Sequence, residues 1–158
     1  MANPKPRRFA AVVSTYHSRY TEAMLASAAK ALKGHVLDVV RVPGAFEVPL
    51  AVQRCARKGG KERYEAILAF GVVWEGKTRH AEEILRACTD ALMRIGLEND
   101  VPVLHEILSV STEKEAEERT RGKLDRGTEA AQAALGMAPS FEKTTARKLK
   151  GVRRTKAA

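Results

Sequence analysis

Four short apolar runs, each followed by a stretch of helical periodicity, constrain this chain more than anything else in its sequence. The runs lie at residues 9–15, 36–42, 64–73 and 101–110. After the first, Met24, Leu25, Ala28, Ala29 and Leu32 recur at the spacing that one apolar face of a helix requires. Strands that alternate with helices pair in parallel and bury both faces of their sheet. With right-handed crossovers the expected fold is α/β, a three-layer α/β/α sandwich around a four-stranded parallel sheet. No repeat or linker divides it, and 158 residues suit one domain with a genuine core.

Punctuation sets the expected boundaries. A first helix covers residues 20–32 and stops at Gly34, since glycine readily takes the left-handed backbone of a C-terminal cap. Pro43 and Gly44 close the second strand. A second helix runs from residue 47 or 48 to 57, with Pro49 in its first turn where no donor is lost. A long helix is expected over residues 78–97. Pro102 falls near the start of the fourth strand, where its missing N–H matters least. Thr112 and Glu115 have capping-box spacing for a fourth helix that ends near Thr120. Residues 122–126 form a break, and a last helix from 127 or 128 to 135 ends at Gly136.

Composition excludes several classes. No apolar run approaches the roughly 20 residues that span a bilayer, so no membrane partner is expected. Residues 1–8 read as a flexible leader without the apolar core of a signal peptide. Residues 9–141 read as the domain, and residues 142–158 as a basic, disordered tail. Cys55 and Cys88 lack metal-type spacing and read as free thiols in a reducing cytoplasm, with no metal bound. Of the 28 lysines and arginines, seven lie in residues 143–158 with none of the 19 acids, which leaves the body 21 basic and 19 acidic side chains. The net charge of +9 therefore belongs mainly to the tail. Such a tail can hold nucleic acid non-specifically. A solvated tail is the simpler reading, so nucleic acid is not an expected partner.

Ligands of doubly wound sheets gather at the carboxyl ends of the strands. After the third apolar run come Gly76, Lys77, Thr78, Arg79 and His80. A strand, a small-residue turn and a helix start aim free backbone N–H groups and the helix dipole at one point, which favours an anion such as phosphate. Thr78 adds a hydroxyl, Lys77 and Arg79 add positive charge, and His80 can move a proton near neutral pH. An anion site beside a proton carrier suggests an enzyme acting on a phosphorylated small molecule. The same pattern also serves as an ordinary helix start.

Four blocks in order then carry a resemblance. They are Val13, Ser14, Thr15, Tyr16 and His17; residues 42–49 with Pro43, Gly44, Ala45, Phe46 and Glu47; residues 71–80 with Gly76, Thr78 and His80; and Glu118, Arg119, Arg126, Gly127 and Glu129. Together they resemble the 6,7-dimethyl-8-ribityllumazine synthase family over about residues 8–138. The resemblance implies a flavodoxin-like sheet in strand order 2-1-3-4 and a transferase of riboflavin biosynthesis that needs no cofactor. It implies condensation of 5-amino-6-(D-ribitylamino)uracil with 3,4-dihydroxy-2-butanone 4-phosphate, releasing phosphate and water. It further implies a homo-oligomer, a pentamer with active sites between adjacent subunits. A free pentamer, a pair of pentamers and an icosahedral shell all stay open, as does partnership with riboflavin synthase.

Carried onto this chain, the resemblance assigns Tyr16 to stacking on the pyrimidine. Ala45 and Phe46 would offer main-chain contacts, as would Val72 and Val73, and Glu47 would accept hydrogen bonds from ribityl hydroxyls. Gly76, Lys77, Thr78 and Arg79 match the phosphate loop, and Arg119 matches the phosphate-binding arginine, a role suited to forked donors. His80 matches the catalytic proton-transfer residue. Arg126 takes the place of a family lysine that reaches the substrate, in a segment about one residue shorter. His105 stands for a phenylalanine on the strand that a neighbouring subunit contributes. Plainer readings stay open too: Tyr16 as a sheet-edge cap, Glu47 as a helix-dipole partner and Arg119 as a solvated helix residue.

Other departures are His17, where the family often has asparagine, Glu106, where a small residue is common, and Trp74 and Ala81 beside the phosphate loop. His105, Glu106 and the basic tail motivate a rival, a catalytically weak paralogue acting as a shell-forming or flavin- or pyrimidine-binding protein. A receiver or flavodoxin-type module fits less well. The end of the first strand, Ser14 to His17, has neither the acids of the one nor the phosphate loop of the other.

Overall fold

A computed structural model describes the chain over residues 5–146. Strands β1 (Arg8–Ser14), β2 (Val36–Val42), β3 (Ala66–Trp74) and β4 (Val103–Val110) form one parallel sheet in the order β2-β1-β3-β4. Helices α1 (Ser18–Ala31), α2 (Val48–Ala56), α3 (His80–Asn99), α4 (Glu113–Thr120) and α5 (Arg126–Ala146) complete the sandwich. Both the architecture and the strand order are those expected.

The two-residue period of the strands builds both layers. Phe9, Ala11, Val13, Leu68, Phe70 and Leu108 face α1 and α5, where they meet Met24, Ala28, Ala130 and Ala131. Their neighbours Ala10, Val12, Ile67, Ala69 and Ile107 face α2 and α3, where they meet Val52, Cys88 and Leu92. A one-residue slip would exchange the two sets, so the register is firmly specified. Along the first layer, a Cβ at Gly127 would overlap the carbonyl of Met24. Backbone thus lies on backbone where α5 crosses α1, and only glycine fits there.

Most caps follow the sequence. Gly34 has φ 93° just past α1, and Pro49 sits in the first turn of α2. The Glu115 N–H donates to the Thr112 hydroxyl at 3.1 Å. The Glu115 carboxylate reaches back to the Ser111 N–H at 3.0 Å, one residue earlier than a capping box would place it.

Two helices differ from expectation in their bounds. Helix α3 begins at His80 rather than at residue 78, with Arg79 as its N-cap. Helix α5 begins at Arg126 and continues through Gly136 and Pro139 to Ala146. A glycine stops a helix by turning left-handed, and among the described glycines only Gly34 and Gly60 have positive φ. Gly136 instead stays helical, and its carbonyl accepts the Ser140 hydroxyl at 3.0 Å, next to the donor that Pro139 lacks. Of the expected leader, residues 1–4 lie outside the described residues and Arg8 already opens β1; of the expected tail, residues 142–146 belong to α5 and residues 147–158 lie outside the described residues. Among those described, no helix is long and apolar enough to cross a membrane.

Candidate active site

The sheet opens at one place. β3 pairs with β1 only as far as Phe70, yet it runs on beside β4 to Trp74. On the β1 side, the backbone of residues 71–74 therefore has no strand neighbour. The chain leaves β1 into α1 on one face and β3 into α3 on the other, which makes this crevice the topological switch point where such sheets bind ligands. Val72 and Val73 are buried, so a ligand in the crevice can meet only their main chain.

One wall is the end of β1 joined to the turn after β2. The Thr15 N–H donates to the Val42 carbonyl at 2.8 Å, and the Tyr16 N–H to the Pro43 carbonyl at 3.0 Å. The Tyr16 ring is left 67% exposed and Phe46 62% exposed. The 3₁₀ turn Ala45–Glu47 lies over Gly71, where a Cβ would come within 3.3 Å of the Ala45 methyl and 3.2 Å of Ile107. Gly71 is thus what lets the turn settle on the sheet. The Glu47 carboxylate folds over Gly44, so close that a Cβ there would stand 2.7 Å from Oε2. From beneath, the Cys88 thiol donates to the Ala45 carbonyl at 3.4 Å. Burial first, and then the charge of Glu47, push that thiol up to about 11. It stays a protonated donor under the turn.

The other wall is the stretch between β3 and α3. Gly76, Lys77, Thr78 and Arg79 line a cavity of about 740 Å³ together with Arg86, Thr89 and Asp90 of α3 and Ser109 of β4. Just ahead of the helix start the Thr78 hydroxyl lies 3.5 Å from the His80 N–H, while the N-cap residue Arg79 makes no side-chain cap bond. Arg86 is taken up by Glu83 at 2.6 Å. Arg79 lies only 4.0 Å from Glu82, with both side chains largely exposed, so its charge stays available to an anion. His80 is exposed at the head of α3. Arg119 donates to the Ser109 carbonyl at 2.8 Å, which fastens it to a residue of the cavity wall. The Ser109 hydroxyl in turn donates to Glu75 at 2.7 Å.

The β4 edge is built differently. His105 Nδ1 accepts the Ile107 N–H at 3.1 Å, so the proton of the neutral ring sits on Nε2 and donates to the Thr89 hydroxyl at 2.7 Å. Burial lowers the His105 pKa. His105 borders a second cavity of about 410 Å³ with Met93, Leu97 and Met137, and Thr89 borders both cavities. Glu106 points the other way and is buried. Burial raises its pKa, and the hydrogen bond and charge of Arg126 pull it back. Arg126 Nε lies 2.9 Å from Glu106, and Nη1 lies 2.8 Å from Glu129. A buried carboxylate needs such a partner. The guanidinium expected to reach the substrate is therefore occupied by two carboxylates of its own chain.

Within one chain the fold gathers Tyr16, Ala45, Phe46, Glu47, Val72 and Val73 about the crevice. Residues 76–79 line the adjoining cavity, His80 follows them at the exposed start of α3, and Arg119 is tied to the cavity wall through Ser109. His105 is bonded to Thr89, which also lines that cavity, and Arg126 is engaged by Glu106 and Glu129. Sequence reasoning missed Cys88, Thr89 and Ser109, whose side-chain partners lie on distant segments, and no local motif marks them. Among the described residues, no cluster of three or more His, Cys, Asp and Glu side chains could hold a metal ion.

A doubly wound parallel sheet whose switch-point crevice combines an exposed aromatic ring, a carboxylate, a cationic turn and a histidine defines a class of α/β small-molecule enzyme with a place for an anionic substrate. The chain belongs to the 6,7-dimethyl-8-ribityllumazine synthase family, whose model matches residues 6–142. Two similar proteins are the 6,7-dimethyl-8-ribityllumazine synthases of Xanthomonas euvesicatoria pv. vesicatoria (strain 85-10) and Stenotrophomonas maltophilia (strain R551-3), each 38% identical to it. The alignments cover 88% of this chain and 92% of the first protein, and 90% and 94% for the second. This match does not favour the rival reading as a weak shell-forming or flavin- or pyrimidine-binding paralogue.

Proposed function

We propose that the chain condenses 5-amino-6-(D-ribitylamino)uracil with 3,4-dihydroxy-2-butanone 4-phosphate, releasing phosphate and water, as a transferase of riboflavin biosynthesis. The observation that carries this reading is the pairing of the open crevice with the adjoining cationic turn. One receives a flat polar ring and its ribityl chain, and the other receives a phosphate. Tyr16 stacks on the pyrimidine, the main chain of Ala45, Phe46, Val72 and Val73 reads its edge, and Glu47 accepts ribityl hydroxyls. Residues 76–79 and Arg119 hold the phosphate. His80 carries the proton, with a contribution of about 10²–10⁴-fold. Holding both reactants together supplies much of the rest. The ion pairs of Arg126 support a structural role for it rather than a substrate contact.

The active assembly in this reading is a cytoplasmic homopentamer in which a neighbouring subunit completes each site. Two features support it. Leu97 is 75% and Met93 64% exposed beside the cavity of His105, an apolar surface that a second copy would cover. Cys55 and Cys88 are free thiols, as a reducing compartment favours. Native mass spectrometry should give five times the 17.3 kDa chain mass or a multiple of it; a stable monomer would contradict the assembly.

Phosphate release tests the activity. It should appear from the butanone phosphate only when the pyrimidine is present, in step with lumazine absorbance, and should fall sharply in Arg119→Ala. Release that ignores the pyrimidine would rule the condensation out.

A further inference from the structure

Two residues that depart from the family pattern, His17 and Trp74, touch each other in the fold. Their ring centroids are 6.1 Å apart at an interplanar angle of 65°. The His17 and Tyr16 rings also pack edge-to-face, with centroids 4.4 Å apart at 64°, and Trp74 meets Tyr20 at 6.2 Å. The four rings form a ladder from solvent to core. Tyr16 is exposed, His17 and Trp74 are half-buried, and Tyr20 is buried. Edge-to-face geometry of this kind is favourable in its own right and fixes the tilt of a ring without covering both its faces.

The backbone holds the ladder in place. His17 lies between β1 and α1 with φ 60°, in the left-handed region. Its carbonyl accepts the N–H of Tyr20 at 3.0 Å and of Thr21 at 3.3 Å, and the Thr21 hydroxyl donates to the Ser14 carbonyl at 2.7 Å. Asparagine, aspartate and histidine are the side chains enriched in that backbone region, and of these only histidine adds a ring. Burial lowers the His17 pKa and so favours the neutral imidazole. Tyr16 has its main chain fixed on Pro43, but its ring has only His17 as an aromatic partner among the described residues.

We infer that His17 is a positioning residue: its imidazole, braced by Trp74, sets the tilt of the Tyr16 ring on which the pyrimidine stacks. The inference rests on the proposed function for the identity of that ligand. Trp74 is the chain's single tryptophan, so its fluorescence reports binding without turnover. The full-length protein is titrated with the ribitylamino-pyrimidine alone and, separately, with inorganic phosphate. His17→Asn keeps a residue that tolerates the left-handed backbone and removes the ring. Its dissociation constant for the pyrimidine should rise about 3- to 10-fold, the range expected for one aromatic pair, while that for phosphate stays put. In turnover, KM for the pyrimidine should rise with kcat held. His17→Phe should restore pyrimidine binding to within about twofold, on the ring energetics alone. If the phenylalanine variant does not fold, the asparagine variant decides alone. An unchanged pyrimidine constant in His17→Asn overturns the inference, as does an equal loss for phosphate or a folded His17→Phe that restores nothing. A wild type that binds the pyrimidine and makes no lumazine removes the proposed function and leaves the inference standing. One that does not bind it overturns both.

Discussion

The crevice between β1 and β3 and the outer edge of β4 both carry residues that the family pattern assigns to substrate, yet they follow opposite rules. At the crevice the main chain does the holding, through Tyr16 on Pro43 and the turn seated over Gly71. The side chains of Tyr16, Phe46, Lys77, Arg79 and His80 are left exposed. At β4 the polar side chains satisfy one another. His105 is bonded through both ring nitrogens, and Glu106 is neutralised by Arg126. Residue type alone would have put Arg79 and Arg126 in one class. Their partners separate them: a cation held only loosely by its own chain can meet a phosphate, whereas one that neutralises a buried carboxylate is holding the fold.

The largest expected effect falls on the crevice side. His80→Ala should slow lumazine formation by about 10²–10⁴-fold with the melting temperature unchanged. A loss below about threefold would remove His80 as the proton carrier. On the β4 side, Arg126→Ala strands the Glu106 carboxylate and should cost about 3 kcal/mol of stability, read by urea denaturation. If stability holds while KM for the phosphorylated substrate climbs, the contrast between the two regions breaks. Arg119→Ala loses a charge-assisted contact with the phosphate. On a value of about 1.5–3 kcal/mol for such a bond, KM for the butanone phosphate should rise at least tenfold, about the lower end of that range, and KM for the pyrimidine should move little.

The smallest effect is a pH dependence at His105. Its pKa is lowered in the fold, so its neutral form contributes stability that is present above the usual value of about 6.5 and is lost as pH falls through the folded value. Between pH 7.5 and 5, wild type should therefore lose stability relative to His105→Phe. His17 titrates in both proteins and cancels. A flat difference would mean that His105 is not buried as described.

Much of this is legible in the sequence. The strand runs alternate with helical stretches, and β1 and β3 are buried along nearly their whole length, as central parallel strands must be. The crevice residues are legible because each sits in a short motif at a strand end. The sequence places helix α3 two residues early because glycine, lysine and threonine suit a cap and a first turn equally. Gly136 misleads because a glycine ends a helix only by turning left-handed, and α5 is held to the sheet by Ala130, Ala131 and Ala134. Cys88 and Thr89 give no signal, since what matters about them is a partner far along the chain. Glu106 stands out in the sequence only as a departure from the family pattern, and its burial and its pairing with Arg126 come from the fold.

The most direct test removes the β4 pair altogether. Replacing a buried ion pair by apolar side chains is often neutral or stabilising, so a Glu106→Leu/Arg126→Leu double variant should stay folded. Its turnover is measured beside that of His80→Ala. Lumazine formation should stay near the wild-type rate in the double variant and collapse in His80→Ala. A double variant that is folded and assembled but inactive would contradict this, and would return Arg126 to the substrate.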